Sequence, residues 1–118
     1  AAIAEIQEIR EDFHKNVFVP GGMDELNPEL EKVMRVSDFI ELGELFAHDA
    51  LQRVESCGGH FREESAELDG PQKGEAKRDD INFAHVSAWE WTGDPSKPVL
   101  HKEQLTFNDI KLVQRSYK

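Results

Sequence analysis

Two polar residues on one predicted helix, Glu44 and His48, have a spacing that could support metal chemistry. At four residues apart they would share one face of a helix and could both point at a metal ion. A third ligand and a His-Glu-x-x-His motif are missing, so the signal for metal is weak. We interpret the pair as a surface or interface hydrogen bond.

The densest polar cluster is the segment from Glu55 to Glu64, which contains Cys57 and His60 around a Gly-Gly pair. A Cys-His pair could form an activated nucleophile, but no third group is available in the segment to orient the imidazole. The alternative is a helix C-terminus whose negative end is met by the cationic groups of His60 and Arg62. We favour this second interpretation.

Two further features could take part in binding. Arg78-Asp79-Asp80 places adjacent carboxylates before a predicted strand, where they could bind a cation or assist acid–base work. We expect an ion-paired loop that pins the entry to the strand.

Trp89 and Trp91 share one strand face and could form a ligand platform, although core packing is the more ordinary role. No glycine-rich phosphate loop is present. We therefore assign no catalytic, cofactor-binding or metal-binding residue.

Two long helices are predicted in the first half of the chain. The first runs from about Ala2 to Phe18, and its apolar face is formed by Ile3, Ile6, Ile9, Phe13 and Val17. The second begins at Asn27-Pro28, with Asn as the N-cap, and is predicted to end at Gly58-Gly59, about 30 residues later. Its apolar face is wider than one neighbour needs, so we expect cover from at least two sides. Gly43 is expected to allow close approach of another element.

The second half predicts a loop and a β-hairpin. Residues 62–80 are polar and read as a surface loop, whereas Phe83 to Trp91 alternate as a strand does. After a turn at 92–96, Pro98 to His101 can return as a second strand, and Ile110 to Gln114 form a possible third extended piece. The fold class is α+β: a long antiparallel helix pair, or partial helical bundle, then a loop and a small antiparallel β-hairpin unit. The helical portion covers 1–61, and the loop and hairpin region covers 62–118.

Bulk composition excludes several classes of function. The 118 residues have a formal net charge of −10, so binding to nucleic acid is disfavoured. No apolar run approaches the roughly 20 residues of a membrane span, and the N-terminus is not a signal peptide. The helical pattern already runs at Ala2 without an initiator Met, which favours a segment of a longer protein.

Two motifs resemble one known family. The stretch from Glu41 to His60 is similar to the C-terminal region of succinate dehydrogenase and fumarate reductase flavoprotein subunits, where a helix leads into Glu-Ser-Arg-Gly-Ala-His-x-Arg. The family's later Arg-Asp-Asp-x-Asn-Phe is matched at 78–83. Cys57 stands where many members have Arg, and Gly59 where they have Ala. The form at 56–64 is similar to a bacterial branch linked to menaquinone.

The resemblance implies a structural segment of a larger oxidoreductase. The parent would interconvert succinate and fumarate, pass a hydride between the dicarboxylate and FAD, and send electrons through iron–sulfur centres to quinone. FAD would be held in the N-terminal domain of the parent and not by this segment. The implied partners are the N-terminal FAD and capping domains, an iron–sulfur subunit and a cytochrome b membrane anchor. The parent would lie in the cytoplasm, on the inner membrane's cytoplasmic face.

Two alternatives stay open at this point. One is the C-terminal domain of L-aspartate oxidase, whose helices carry a similar Glu-Ser-Arg-Gly motif. The other is a free-standing acidic module that binds a protein partner through an exposed helix face. A segment separated from its neighbours is expected to self-associate through its apolar surface.

Overall fold

The computed structural model describes residues 1–70 and 73–114. In chain order the elements are α1 (Ala2–Asn16), α2 (Pro28–Gln52), a 3-10 turn (Glu63–Ser65), α3 (Asp80–Phe83), β1 (His85–Glu90) and β2 (Val99–Gln104). The two long helices and the antiparallel two-stranded sheet confirm the predicted α+β class. None of the helices in the described ranges is both long enough and apolar enough to cross a membrane.

The residues separate into two compact units. The first holds Ala1–Asp49 and Trp91–Pro98, and the second holds Ala50–Glu90 and the described residues from Val99 onward. The predicted division near residue 61 stays a prediction.

α1 presents a mixed face instead of the apolar face predicted for it. Ile3, Ile6 and Phe13 lie on its less exposed side, but Ile9 is exposed and Val17 lies past the end of the helix. The less exposed positions between Ile6 and Phe13 are filled by polar side chains, Gln7 and Arg10. Periodicity of the apolar residues alone could not show that two polar residues share the covered face.

α2 begins as predicted. The Asn27 side chain caps it, since its Oδ1 accepts a hydrogen bond from Leu30 N at 3.1 Å. The helix is continuous to Gln52 but does not reach the predicted stop at Gly58-Gly59. The chain leaves the helix earlier because Ser56 N donates to Lys77 O at 3.0 Å and ties the segment to a distant loop. At Gly43, nothing in the described residues comes within 4 Å of an added Cβ, so the expected close approach is not found here.

The described residues of 62–80 form a loop that folds back on itself. Ala66 and Ala76 make an isolated antiparallel bridge, and Glu67 N donates to Glu75 O at 2.9 Å. The loop then enters α3 directly. Residues 71 and 72 lie outside the described residues.

The hairpin pairs β1 with β2 in a register that places His85 opposite Gln104 and Trp89 opposite Leu100. β1 is shorter than the predicted strand from Phe83 to Trp91, because α3 includes Phe83 and the turn begins at Trp91. β2 begins after Pro98 and runs three residues beyond His101. Residues 110–114 do not pair as a strand, so the predicted third piece does not extend the sheet of the described residues. Residues 115–118 lie outside the described residues.

Burial in the described residues is the reverse of that in an ordinary domain. No apolar side chain there is buried, whereas four polar ones are: Glu44, Glu55, Ser56 and His85. Folded domains normally bury Leu, Ile, Val and Phe first. The predicted surplus of apolar helix surface is therefore present in the structure.

Candidate functional site

The Glu44 cluster, which comprises Gln7, Arg10, Glu44 and His48, lies where α1 meets α2. The Glu44 carboxylate is fully buried. Its Oε1 accepts a hydrogen bond from Gln7 Nε2 at 2.7 Å, and its Oε2 pairs with Arg10 Nη1. A buried carboxylate is tolerated only when it is paired and hydrogen-bonded, and here α1 supplies both partners.

His48 is the fourth member of the Glu44 cluster. Its Nε2 lies 3.9 Å from Glu44 Oε1, which is beyond hydrogen-bond distance, and has no hydrogen-bond partner among the described residues. Within the described ranges no group of three His, Cys, Asp or Glu could hold a metal ion. The hydrogen bond predicted for the Glu44–His48 pair is not formed, because Glu44 binds Gln7 and Arg10 of α1 instead.

The junction cluster connects the end of α2 to the following loop and to α3. We define it as Arg53, Glu55, Ser56, His60, Arg62 and Asp79. The Ser56 hydroxyl is fully buried, accepts from Arg62 N at 2.8 Å and donates to Arg62 O at 3.1 Å. The Ser56 side chain therefore fixes the backbone of Arg62 next to the residues that follow α2.

Glu55 links the two sequence motifs. Its Oε1 accepts from Arg53 Nη1 at 2.9 Å, and its Oε2 accepts from Asp79 N at 2.9 Å. Arg53 also lies over the Phe83 ring, 5.8 Å from its centroid, within the range of a cation–π contact. The first motif thus contacts both Asp79 and Phe83 of the second.

The C-terminal end of α2 is capped by the side chains of His60 and Arg62. His60 Nε2 donates to Arg53 O at 2.8 Å, and Arg62 Nη1 donates to Ala50 O at 3.2 Å. Arg62 also pairs with Glu64, whose pKa is lowered first by a hydrogen bond from its own backbone amide and then by Arg62. The predicted helix C-terminus that meets His60 and Arg62 is confirmed.

The Cys57–His60 pair forms a tight backbone turn. Cys57 N donates to His60 O at 2.9 Å, and His60 N donates back to Cys57 O at 3.1 Å. Gly58 takes the first central position with φ +59°, as a type II′ turn requires. His60 uses its Nε2 on the carbonyl of Arg53, so this nitrogen is not available as a base for the thiol of Cys57.

The Arg78-Asp79-Asp80 segment acts as the predicted ion-paired loop. Arg78 Nη2 lies 2.5 Å from Asp80 Oδ1, and Arg78 Nη1 donates to Val113 O at 3.3 Å. Asp79 caps α3, since its Oδ1 accepts from Asn82 N at 3.2 Å. These contacts of Arg78 and Asp79 fix the path of the segment that leads through α3 into β1.

The strand residues divide into a covered face and an exposed face. His85, Ser87 and Trp89 are the less exposed residues of β1, as the alternation predicted. Trp91 lies past the strand with 58% of its surface exposed, so its predicted core packing is wrong. His85 is buried, and its ring centroid lies 5.8 Å from that of Phe83. Within the described part of the chain its Nδ1 has no hydrogen-bond partner.

The comparisons with known proteins bear directly on these motifs. A family model described as fumarate reductase flavoprotein C-term matches residues 1–117. The chain belongs to this family. Comparison with curated proteins and with solved structures gave no match. The resemblance drawn from the motifs at 41–60 and 78–83 is therefore confirmed at the level of the succinate dehydrogenase and fumarate reductase flavoprotein C-terminal domain.

The two motifs that carry the family resemblance contact each other in this chain. Glu55 and Ser56 of the first motif contact Asp79 and Lys77, at and just before the second motif, through side chain and backbone. Cys57, at the position where many members have Arg, is half-buried and makes its hydrogen bonds in the described chain through its backbone. The junction cluster is therefore a set of structural contacts, in which Arg53 pairs with Glu55 and the other side chains bind mainly backbone groups.

Proposed function

We propose that this chain is the C-terminal structural domain of a flavoprotein subunit that interconverts succinate and fumarate. The catalytic groups and FAD are assigned to the N-terminal FAD and capping domains of the parent protein. A hydride would pass between the dicarboxylate and FAD, and electrons would continue through an iron–sulfur subunit to quinone at a cytochrome b anchor. The parent would lie on the cytoplasmic face of the inner membrane. The family match over 1–117 supports this assignment.

The observation that carries the structural role is the exposed apolar face of α2. Phe39 and Phe46 are 65% and 68% exposed, and Leu42 between them is also exposed. At 3.6 residues per turn these three side chains fall on the side of α2 opposite Glu44, which contacts α1. An apolar stripe of this kind on a helix marks a surface that another element covers. We propose that the remaining domains of the parent cover it.

The second part of the role is to fix the loop at 62–80 and the start of the hairpin next to the end of α2. Glu55 and Ser56 are buried and bind Asp79 N and the Arg62 backbone, respectively. Because their partners are backbone groups, these contacts fix the path of the chain itself. We propose that the junction cluster sets the position of the loop and hairpin for contact with the parent's FAD domain.

The proposed activity is tested on the full-length protein that contains these residues. Oxidation of succinate by a soluble electron-accepting dye is measured beside oxidation of L-aspartate, and the flavin content is read from absorbance. The proposal predicts bound flavin and turnover with succinate but not with L-aspartate. Turnover with L-aspartate alone would assign the parent to the oxidase alternative, and a protein without flavin would contradict both assignments.

The proposed role of the α2 face is tested by substitution in the same protein. Phe39→Ser with Phe46→Ser removes two apolar side chains from the face, whereas Glu41→Ser changes an exposed polar neighbour on the same helix. The double variant is expected to lower the melting temperature and release flavin, because its apolar contacts with the rest of the protein are lost. Equal melting temperatures for the double variant and the Glu41→Ser control would contradict the role.

A further inference from the structure

The loop between α1 and α2, residues 17–27, carries the most exposed cluster of apolar side chains in unit one. Phe18, Met23 and Leu26 are 86%, 92% and 94% exposed, respectively. Single exposed apolar residues are ordinary, but three on one eleven-residue loop leave a concentrated apolar surface. This loop is separate from the face of α2 discussed above.

The loop is held in one conformation by its own polar groups. Asn27 Nδ2 donates to Pro20 O at 3.0 Å, while Asn27 Oδ1 caps α2. This one side chain therefore holds residue 20 close to residue 27 and joins the segment to the start of α2. Gly22 N donates to Glu25 Oε1 at 3.3 Å inside the closed segment. Gly21 has φ +104°, and a Cβ there would lie 2.6 Å from Asn27 Nδ2. The exposed apolar side chains of the loop therefore lie on a preorganised backbone, so less conformational entropy is lost when the loop binds a partner.

The charged residues in this stretch of the sequence are all of one sign. Residues 16–31 contain no Lys or Arg and four carboxylates: Asp24, Glu25, Glu29 and Glu31. Glu29 and Glu31 pair with Lys32 and Arg35. Asp24 and Glu25, which lie between Met23 and Leu26, form no ion pair with a Lys or Arg among the described residues. The loop therefore combines exposed apolar side chains with two carboxylates, Asp24 and Glu25, that have no ion-pair partner among the described residues.

We propose that loop 17–27 docks into an apolar pocket rimmed by Lys and Arg on a separate protein subunit. The proposal rests on the function proposed above, in which the parent works within a complex. Apolar side chains at the centre with charged groups at the rim are the usual composition of a protein interface, and opposite charge on the partner sets the orientation. An anionic lipid surface does not fit, because Asp24 and Glu25 would be repelled from it.

The test places a photo-crosslinking amino acid at position 23 in the full-length protein, purified within its complex. A matched control carries it at Glu63, an exposed residue of unit two. The expected product from position 23 is a covalent link to another chain, at a peptide whose apolar residues are flanked by Lys or Arg. Asp24→Lys with Glu25→Lys should reduce the yield of this product by about fivefold, as like charges then face each other. Glu63→Lys should leave the yield unchanged.

Three results would overturn the docking proposal: a link within the same chain, a link to lipid or to a peptide without basic residues, and no link above the Glu63 control. Dye-linked succinate turnover of the unsubstituted protein is measured on the same preparation. Normal turnover without the link contradicts the docking proposal alone. Absent turnover contradicts the proposed function, whatever the crosslink shows.

Discussion

The Glu44 cluster and the junction cluster are both polar and buried, but they are assembled from different parts of the sequence. Glu44 is bound by Gln7 and Arg10, which precede it by 37 and 34 residues. Ser56, by contrast, is bound by the backbone of Arg62, six residues away. The first cluster joins two helices through side chains, whereas the second fixes the path of the chain through backbone groups.

The difference explains which cluster could be found from the sequence. The junction cluster lies within a dense polar segment with a Gly-Gly turn, so its position and its capping groups were predicted. The Glu44 cluster gave only the Glu44–His48 spacing, and its true partners lie on another helix. One signal was available, namely two polar residues at 7 and 10 on a face otherwise formed by Ile3, Ile6 and Phe13.

Loss of the Glu44 carboxylate should have the largest effect. Glu44→Ala leaves Arg10 and Gln7 without their partner at the α1–α2 contact, and breaking a buried ion pair costs about 3–5 kcal/mol. Chemical denaturation of the full-length protein measures the change, with Glu41→Ala as the exposed control on the same helix. A cost no larger than that of the control would show that the Glu44 cluster does not hold the helices together.

Loss of the Ser56 hydroxyl should come next. Ser56→Ala leaves the Arg62 N–H and carbonyl without their shared partner, and a buried unsatisfied group costs about 1–3 kcal/mol. The same denaturation experiment measures it, and Glu63→Ala serves as an exposed control close by in sequence. Equal losses in the free energy of unfolding for Ser56→Ala and Glu63→Ala would show that the hydrogen bonds of Ser56 do not stabilise the junction cluster.

The turn at Gly58-Gly59 offers a matched pair of smaller changes. Nothing lies within 4 Å of a Cβ added at either glycine, but only Gly58 has a positive φ, +59°. Gly58→Ala should therefore cost about 1–2 kcal/mol, the strain of a left-handed residue, and Gly59→Ala much less. Thermal unfolding of the two variants side by side separates conformational strain from steric contact. Equal losses would contradict the assigned turn geometry.

The smallest effect is expected at the hairpin turn. Hydrogen bonds from Ser96, and then the contact with Lys97, hold the pKa of Asp94 below its usual range. Since the folded pKa is the lower one, Asp94 stabilises the turn above its unfolded pKa of about 4 and loses this contribution as the pH falls toward the folded value. NMR titration of the labelled Asp94 carboxyl measures the shift. Ser96→Ala should return the pKa toward its usual range, and an unchanged titration would contradict the assigned cause.

Much of the fold followed from periodicity and capping residues, and the errors share one cause. The start of α2 at Asn27-Pro28 and the hairpin strands were predicted because their signals are local. The end of α2 was misplaced because apolar spacing continues to Val54, while the groups that end the helix, Arg62 and Lys77, act from farther along the chain. Sequence spacing carries no information on such distant contacts, and the same limit hid Gln7 and Arg10.

The central claim is that the exposed apolar face of α2 is covered by other parts of the parent protein. Hydroxyl-radical footprinting of the full-length protein tests it most directly, because it reports side-chain exposure at Phe39, Leu42 and Phe46. The account predicts modification of all three far below the level in the unfolded protein. Modification close to that level, in a protein that retains flavin, would show that the face stays open to solvent and would contradict the claim.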